Sequence, residues 1–196
     1  MAVWKELDAD SKLLAWSNTR LVKECINRNE EAWSALIDKY KSLIFSIPIK
    51  YGFSVDDASD IFQSVCLELL AELPNLRKAE ALPKWIMQVT AHKCFRGRRQ
   101  QQRTESVDPG DTRIDRATPA RAEAILREAE EEQNLQQALA ELPPRCRQLV
   151  HLLFYEDPPR EYRKVAEELG IAVGSIGFIR QRCLDKLRQR LTEVGF

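Results

Sequence analysis

Glycine is scarce in this chain, at seven residues in 196. No segment alternates polar and apolar residues long enough to make a strand. An all-β fold, which needs frequent tight turns, is therefore disfavoured. Histidine is rarer still: the two, His92 and His151, both sit on helical patterns. There is no glycine-rich nucleotide loop, no Ser-His-Asp order and no metal-ligand spacing, so the sequence presents no catalytic set, no cofactor site and no metal site. No apolar run approaches the roughly 20 residues of a membrane span. The first ten residues carry Lys5, Glu6, Asp8 and Asp10 in place of an apolar signal core. A cytoplasmic protein with no membrane insertion is expected. The five cysteines (Cys25, Cys66, Cys94, Cys146 and Cys183) are far apart, odd in number and never arranged as CxxC. That argues against a disulfide framework or a zinc site. Each falls in a helical pattern and reads as a small buried hydrophobe.

A net charge is missing as well, with 30 basic and 30 acidic residues. The balance conceals segregation. His92 to Arg103 holds Lys93, Arg96, Arg98, Arg99 and Arg103 with no acid, and Arg180 to Arg190 holds five cations against Asp185 alone. Between them, Thr104 to Leu142 is acidic and includes Glu128, Glu130, Glu131 and Glu132. Two basic patches separated by an acidic middle can engage a polyanion at two places.

What is abundant is helical periodicity. Hydrophobic residues make up 44% of the chain and charged residues 31%, a composition typical of helix-rich domains. Trp33, Leu36, Ile37, Tyr40, Leu43 and Ile44 form one stripe. Ile61, Phe62, Val65, Cys66, Leu69, Leu70 and Leu73 form a second, and Trp85, Ile86, Val89 and His92 open a third that runs into the first basic cluster. Pro74 and Pro83 punctuate the loop between the last two. Asp108-Pro109-Gly110-Asp111 and Thr118-Pro119 interrupt the pattern with few apolar residues, a linker composition. Stripes resume at Leu135, Leu139 and Leu142, and Pro144 can occupy the first turn of the following helix.

Near the end, Val165-Ala166-Glu167-Glu168-Leu169-Gly170-Ile171 precedes a basic amphipathic helix. This reads as a helix-turn-helix: Ala166 lets a second helix cross closely, Gly170 permits the turn, and Ile171 and Ile176 plug the corner. At 100° per residue, Ile176, Cys183 and Leu187 point one way and Gly177, Phe178, Gln181 and Arg182 roughly the other. Gln181 and Arg182 suit base edges and Phe178 a thymine methyl, with Lys186 and Arg188 placed to meet phosphates. Arg180 lies nearer the apolar side.

Leu21-Val22-Lys23, Asn29 to Trp33 and Leu36 to Tyr40 resemble the opening of sigma region 2. Asp56-Asp57-Ala58-Ser59-Asp60-Ile61-Phe62-Gln63-Ser64-Val65 resembles its most distinctive stretch, and Leu82-Pro83-Lys84-Trp85-Ile86 its later Trp-apolar pair. Ala140 to Arg147 and the helix-turn-helix resemble sigma region 4. The chain thus resembles the extracytoplasmic-function group of RNA polymerase sigma factors. The resemblance implies an all-α protein of two helical domains joined by a flexible linker, with the helix-turn-helix in the C-terminal one. The expected parts are an N-terminal extension over residues 1–20, region 2 over 21–103, an acidic linker over 104–130 and region 4 over 131–196. Four positions depart from the family pattern: Ser64 replaces an acid, Cys66 an aromatic and Ala172 a Ser or Thr helix cap, while Gly177 presents no side chain.

The implied partners are core RNA polymerase and promoter DNA, and the group is commonly held by an anti-sigma factor. The resemblance assigns the polymerase clamp contact to Asp57, Asp60, Gln63, Ser64 and Leu67. It assigns the opened strand to Lys93, Arg96, Arg98 and Arg99, with a base pocket around Asn75, Arg77 and Lys78. The upstream duplex falls to Gly177, Phe178, Gln181, Arg182, Lys186 and Arg188. The implied function is recognition of the −35 and −10 elements followed by strand opening, with the chemistry left to the polymerase. The competing reading is a helix-turn-helix regulator acting without core polymerase. The Asp57 to Gln63 stretch argues against it, since a ligand domain has no need of such a segment.

Overall fold

The computed structural model describes residues 16–105 and 119–193, with side chains over 16–101 and 120–193. Eight α-helices and no strand occur among the described residues, in agreement with the all-α expectation. The chain divides into two compact units, one ending at Gln133 and the other beginning at Asn134.

In the first unit, α1 (Asn18–Ile26) begins where the Ser17 side chain accepts the Arg20 amide. α2 (Glu30–Lys50) begins where Asn29 accepts the Ala32 amide, and Glu30 and Glu31 complement the positive end of its dipole. Gly52, at φ +78°, reverses the chain in a left-handed conformation that glycine adopts without strain. Ser54 then caps α3 (Val55–Glu72): its hydroxyl accepts the Asp57 amide at 3.1 Å and donates to the Asp57 carboxylate at 2.7 Å. Short 3-10 turns at Leu73–Asn75 and Ala79–Ala81 lead into α4 (Leu82–Glu105).

Leu36, Ile44, Ile47, Val65, Leu69, Leu82 and Ile86 fill the space between α2, α3 and α4. Tyr40 is wholly buried, and its hydroxyl donates to Asn18 at 2.7 Å, which satisfies the one polar atom a buried tyrosine brings. Trp16 packs against the same core, and its ring carries the Arg20 guanidinium 3.6 Å from the centroid. Trp16 to Arg20, expected in an N-terminal extension, are therefore folded with this unit.

α5 (Pro119–Ala140) runs through the region expected as an acidic linker up to residue 130. Its first half joins the first unit. Ile125, Ala129 and Gln133, four residues apart, are buried, and Gln133 donates to the Lys39 carbonyl. Lys50 reaches Glu128 at 3.0 Å and Glu132 at 2.7 Å. Burial opposes the Lys50 charge, yet the hydrogen bonds and charges of Glu132 and Glu128 outweigh it and raise its pKa. Acid-rich composition hid a narrow apolar stripe, because composition averages over helix faces and burial needs only one of them. The remainder of the expected linker, residues 106–118, lies outside the described residues.

In the second unit, α6 (Pro144–Phe154) begins with Pro144 in its first turn. α7 (Tyr162–Leu169) ends at Gly170 in the left-handed conformation, with Ile171 donating to the Ala166 carbonyl. Arg160 pairs with Glu156 and Glu168 and ties the preceding loop to α7. A 3-10 turn at Val173–Ser175 precedes α8 (Ile176–Glu193), so the last helix starts slightly beyond the expected Gly174. Leu149, Leu152, Val165, Ala166 and Ile176 form the core. One expectation is corrected here: Cys146 and Cys183 are joined by a disulfide, Cα to Cα 5.2 Å, rather than being two independent buried thiols. Spacing in sequence carried no sign of it, because the pairing follows from how α6 and α8 cross.

Candidate nucleic-acid and polymerase interfaces

On α3, Asp60, Gln63, Ser64 and Leu67 recur at i, i+3, i+4 and i+7, and all are exposed. Ala58, Val65 and Leu69 face the core from the other side. Leu67 is 70% exposed and Leu70 59%, an apolar element on an otherwise polar stripe. Asp57 differs from its neighbours: it is half-buried and engaged with Ser54 at the start of the helix. An open groove beside the stripe is lined by Phe45, Ile49 and Phe62, with Lys41, Lys50 and Gln63 at its edges.

The basic helix α4 sorts its cations by partner. Lys93 pairs with Glu68 of α3 at 2.6 Å. Arg98 donates to the Tyr51 carbonyl and lies over the Phe53 ring. Arg96 and Arg99 are exposed, and Arg99 lies 5.9 Å from the centroid of the exposed Phe95 ring. The four arginine and lysine residues expected on one track are thus split, two toward solvent and two toward protein. Phe95 was not singled out in sequence. Its one signal was an aromatic residue amid a run of cations. The side chain of Arg103 lies outside the described residues.

In the loop between α3 and α4, Arg77 and Lys78 are exposed and Asn75 donates to Glu72 at 3.3 Å. Glu80 accepts a hydrogen bond from Thr19. A backbone hydrogen bond first, then the Thr19 hydroxyl, and also the Lys78 charge, hold its carboxyl below the usual range.

In the second unit, α8 presents Gly177, Phe178, Gln181, Arg182, Lys186 and Arg188 to solvent, while Ile176 and Cys183 are buried. Arg182 lies over the Phe178 ring at 5.7 Å. Asp185 accepts from both Gln181 and Arg188 at 3.0 Å. Arg180 is turned away from this face and donates to Tyr162 of α7 at 2.5 Å, in keeping with its position near the apolar side. Ala172 supplies no side-chain cap to the turn before α8.

No described helix is long and apolar enough to cross a membrane. No group of three or more His, Cys, Asp or Glu residues gathers as a metal site among the described residues. An exposed stripe on α3, a partly solvent-facing basic helix and a helix-turn-helix with an exposed outer face are the candidate surfaces for recognition.

Comparison with known proteins agrees. Residues 36–104 match the family model of Sigma-70 region 2, and residues 138–189 match that of Sigma-70, region 4. The chain is 24% identical over 157 residues to RNA polymerase sigma factor SigV of Bacillus subtilis (strain 168), an alignment covering 80% of this chain and 89% of that protein. With both regions present in the sigma-factor order, the chain belongs to the sigma-70 family, as a sigma factor of the extracytoplasmic-function type that works with core RNA polymerase.

Proposed function

We propose that this sigma factor recognises the −35 element as duplex through α8 and captures the opened −10 strand with region 2. The observation that carries the reading is the outer face of α8. Phe178, Gln181 and Arg182 are exposed on one side of a helix whose other side is held by Ile176 and Cys183. An arginine and a glutamine so placed can read base edges in the major groove. Lys186 and Arg188 continue toward the backbone phosphates, and Gly177 allows close approach.

In region 2, Arg96 and Arg99 flank Phe95 as a cationic surface with a stacking ring, the combination that suits single-stranded DNA. Arg77, Lys78 and Asn75 border the pocket for an unstacked base. Lys93 and Arg98 hold this surface in place from behind. The clamp contact falls on Asp60, Gln63, Ser64 and Leu67, with Asp57 setting the start of α3. An anti-sigma factor would compete for the same stripe and for the groove beside it. The protein acts in the cytoplasm, and bond-making stays with the polymerase.

Run-off transcription with purified bacterial core polymerase on a genomic DNA library, with and without this chain, tests the reading. New transcripts sharing upstream and downstream promoter sequences are expected only when it is added. Sequence-specific DNA binding that needs no polymerase, with no new transcripts, would favour an ordinary helix-turn-helix regulator.

A further inference from the structure

We propose that Cys146 and Cys183 form a reversible thiol–disulfide pair that sets how firmly the recognition helix is held, so that a peroxide raises upstream-element recognition and a dithiol reductant lowers it. This rests on α8 being the promoter-reading helix.

The bond joins the first turn of α6 to the middle of α8 and encloses the whole of α7 and the turn after it, a sequence separation of 37. Its Cα separation of 5.2 Å lies within the range that a disulfide spans without backbone movement. Both cysteines belong to the core of the second unit, at 8% and 2% exposure. The bridge therefore grips α8 from behind, opposite the exposed Phe178, Gln181 and Arg182.

Besides the bridge, the buried Ile176 and the hydrogen bond from Arg180 to Tyr162 hold the first half of that helix. Ala172 offers no cap, and the core of this unit is small. Small cores gain most from a covalent staple. A polymerase works where the genome is, a compartment in which thiols are generally kept reduced. There a disulfide acts as a redox sensor more often than as a permanent staple.

The chemistry balances with a peroxide as oxidant. Cys146, in the first turn of α6, reacts as its thiolate. Its sulfur attacks one peroxide oxygen, the O–O bond breaks, and hydroxide leaves and is protonated to water. The resulting sulfenic acid loses its oxygen as a second water when the Cys183 sulfur forms the S–S bond. Two thiols and one hydrogen peroxide become one disulfide and two waters. A dithiol reverses the step by exchange through a mixed disulfide and ends as its own disulfide. The remaining three cysteines, Cys25, Cys66 and Cys94, belong to the first unit. Burial pushes Cys94 up to about 12 and, with the Glu24 charge, Cys25 up to about 11, and it raises Cys66 too.

The full-length protein is treated with hydrogen peroxide or with dithiothreitol, alkylated, and mapped by peptide mass analysis. Each form is then melted, and each is assayed with core polymerase on promoters with and without the upstream element. Peroxide is expected to link Cys146 to Cys183 and to raise the melting of the C-terminal unit by about 10 °C. Upstream-element-dependent transcription near the reduced form's midpoint should rise about twofold, as a half-folded unit becomes wholly folded. Cys183→Ala and, independently, Cys146→Ala should match the reduced protein under both treatments. Equal melting and equal transcription in the two forms, or a crosslink elsewhere, would overturn the switch while leaving promoter reading intact. No transcription from either form, with the crosslink and melting shift present, would instead overturn promoter reading, whereas transcription lost only on oxidation would overturn the switch.

Discussion

Arg98 donates to the backbone carbonyl of Tyr51 at 2.5 Å while its guanidinium lies 4.9 Å from the centre of the Phe53 ring. One side chain thereby seals the turn between α2 and α3. A Cβ added at Gly52 would meet the same guanidinium at 2.9 Å. The basic run on α4 is thus partly architectural.

Arg98→Ala should destabilise region 2 by about 1.5–3 kcal/mol, the scale of a hydrogen bond from a charged donor. Arg96→Ala and Arg99→Ala, whose side chains face solvent, should change stability by less than about 0.5 kcal/mol. Urea unfolding separates the three. Permanganate probing of opened promoter DNA should show the reverse order, with the two exposed arginines mattering more per unit of stability lost.

Asp60→Ala and Gln63→Ala should weaken binding of core polymerase without lowering the melting temperature, because both side chains are exposed. Asp57→Ala should instead cost about 1 kcal/mol through its loss from the α3 cap. Native gels of holoenzyme assembly beside thermal melts distinguish the two effects. Full-strength assembly by the Asp60 and Gln63 variants would move the clamp contact elsewhere.

Arg182→Ala should reduce discrimination for the upstream element by about 1–3 kcal/mol. Lys186→Ala should weaken binding uniformly across sequences and flatten its salt dependence. Competition between promoters with and without the upstream element, repeated at two salt concentrations, checks both. Unchanged selectivity in the Arg182 variant would remove it from the reading face.

Alkaline pH should loosen region 2. The Cys94 thiol is raised from 9.0 to about 12, chiefly by burial. A group whose pKa is raised on folding lends stability that is complete below its unfolded value and is lost as pH climbs toward the folded one. The stability of reduced protein should therefore fall between about pH 9 and pH 12. Cys94→Ala should flatten that fall, as read by urea titrations at stepped pH.

Much of the fold was written in periodicity. The stripes through Leu36, Tyr40 and Ile44, and through Val65 and Leu69, are the buried faces of α2 and α3. Gly170 sits at the left-handed helix end that its neighbours implied. The outward set on α8 also followed from 100° per residue, because helix phase alone separates Gln181 and Arg182 from Ile176 and Cys183.

Tertiary structure alone decided three things. It spent Lys93 on Glu68 and Arg98 on Tyr51 while leaving Arg96 and Arg99 in solvent. It drew the first half of α5 onto α2 through Ile125, Ala129 and Gln133. It brought Cys146 and Cys183 together across 37 residues. Local sequence determines which face of a helix is apolar, because that depends on residues three and four apart. Which element meets that face, and which cation finds an acid or a carbonyl, depends on contacts between residues far apart in the chain, and no local pattern encodes those.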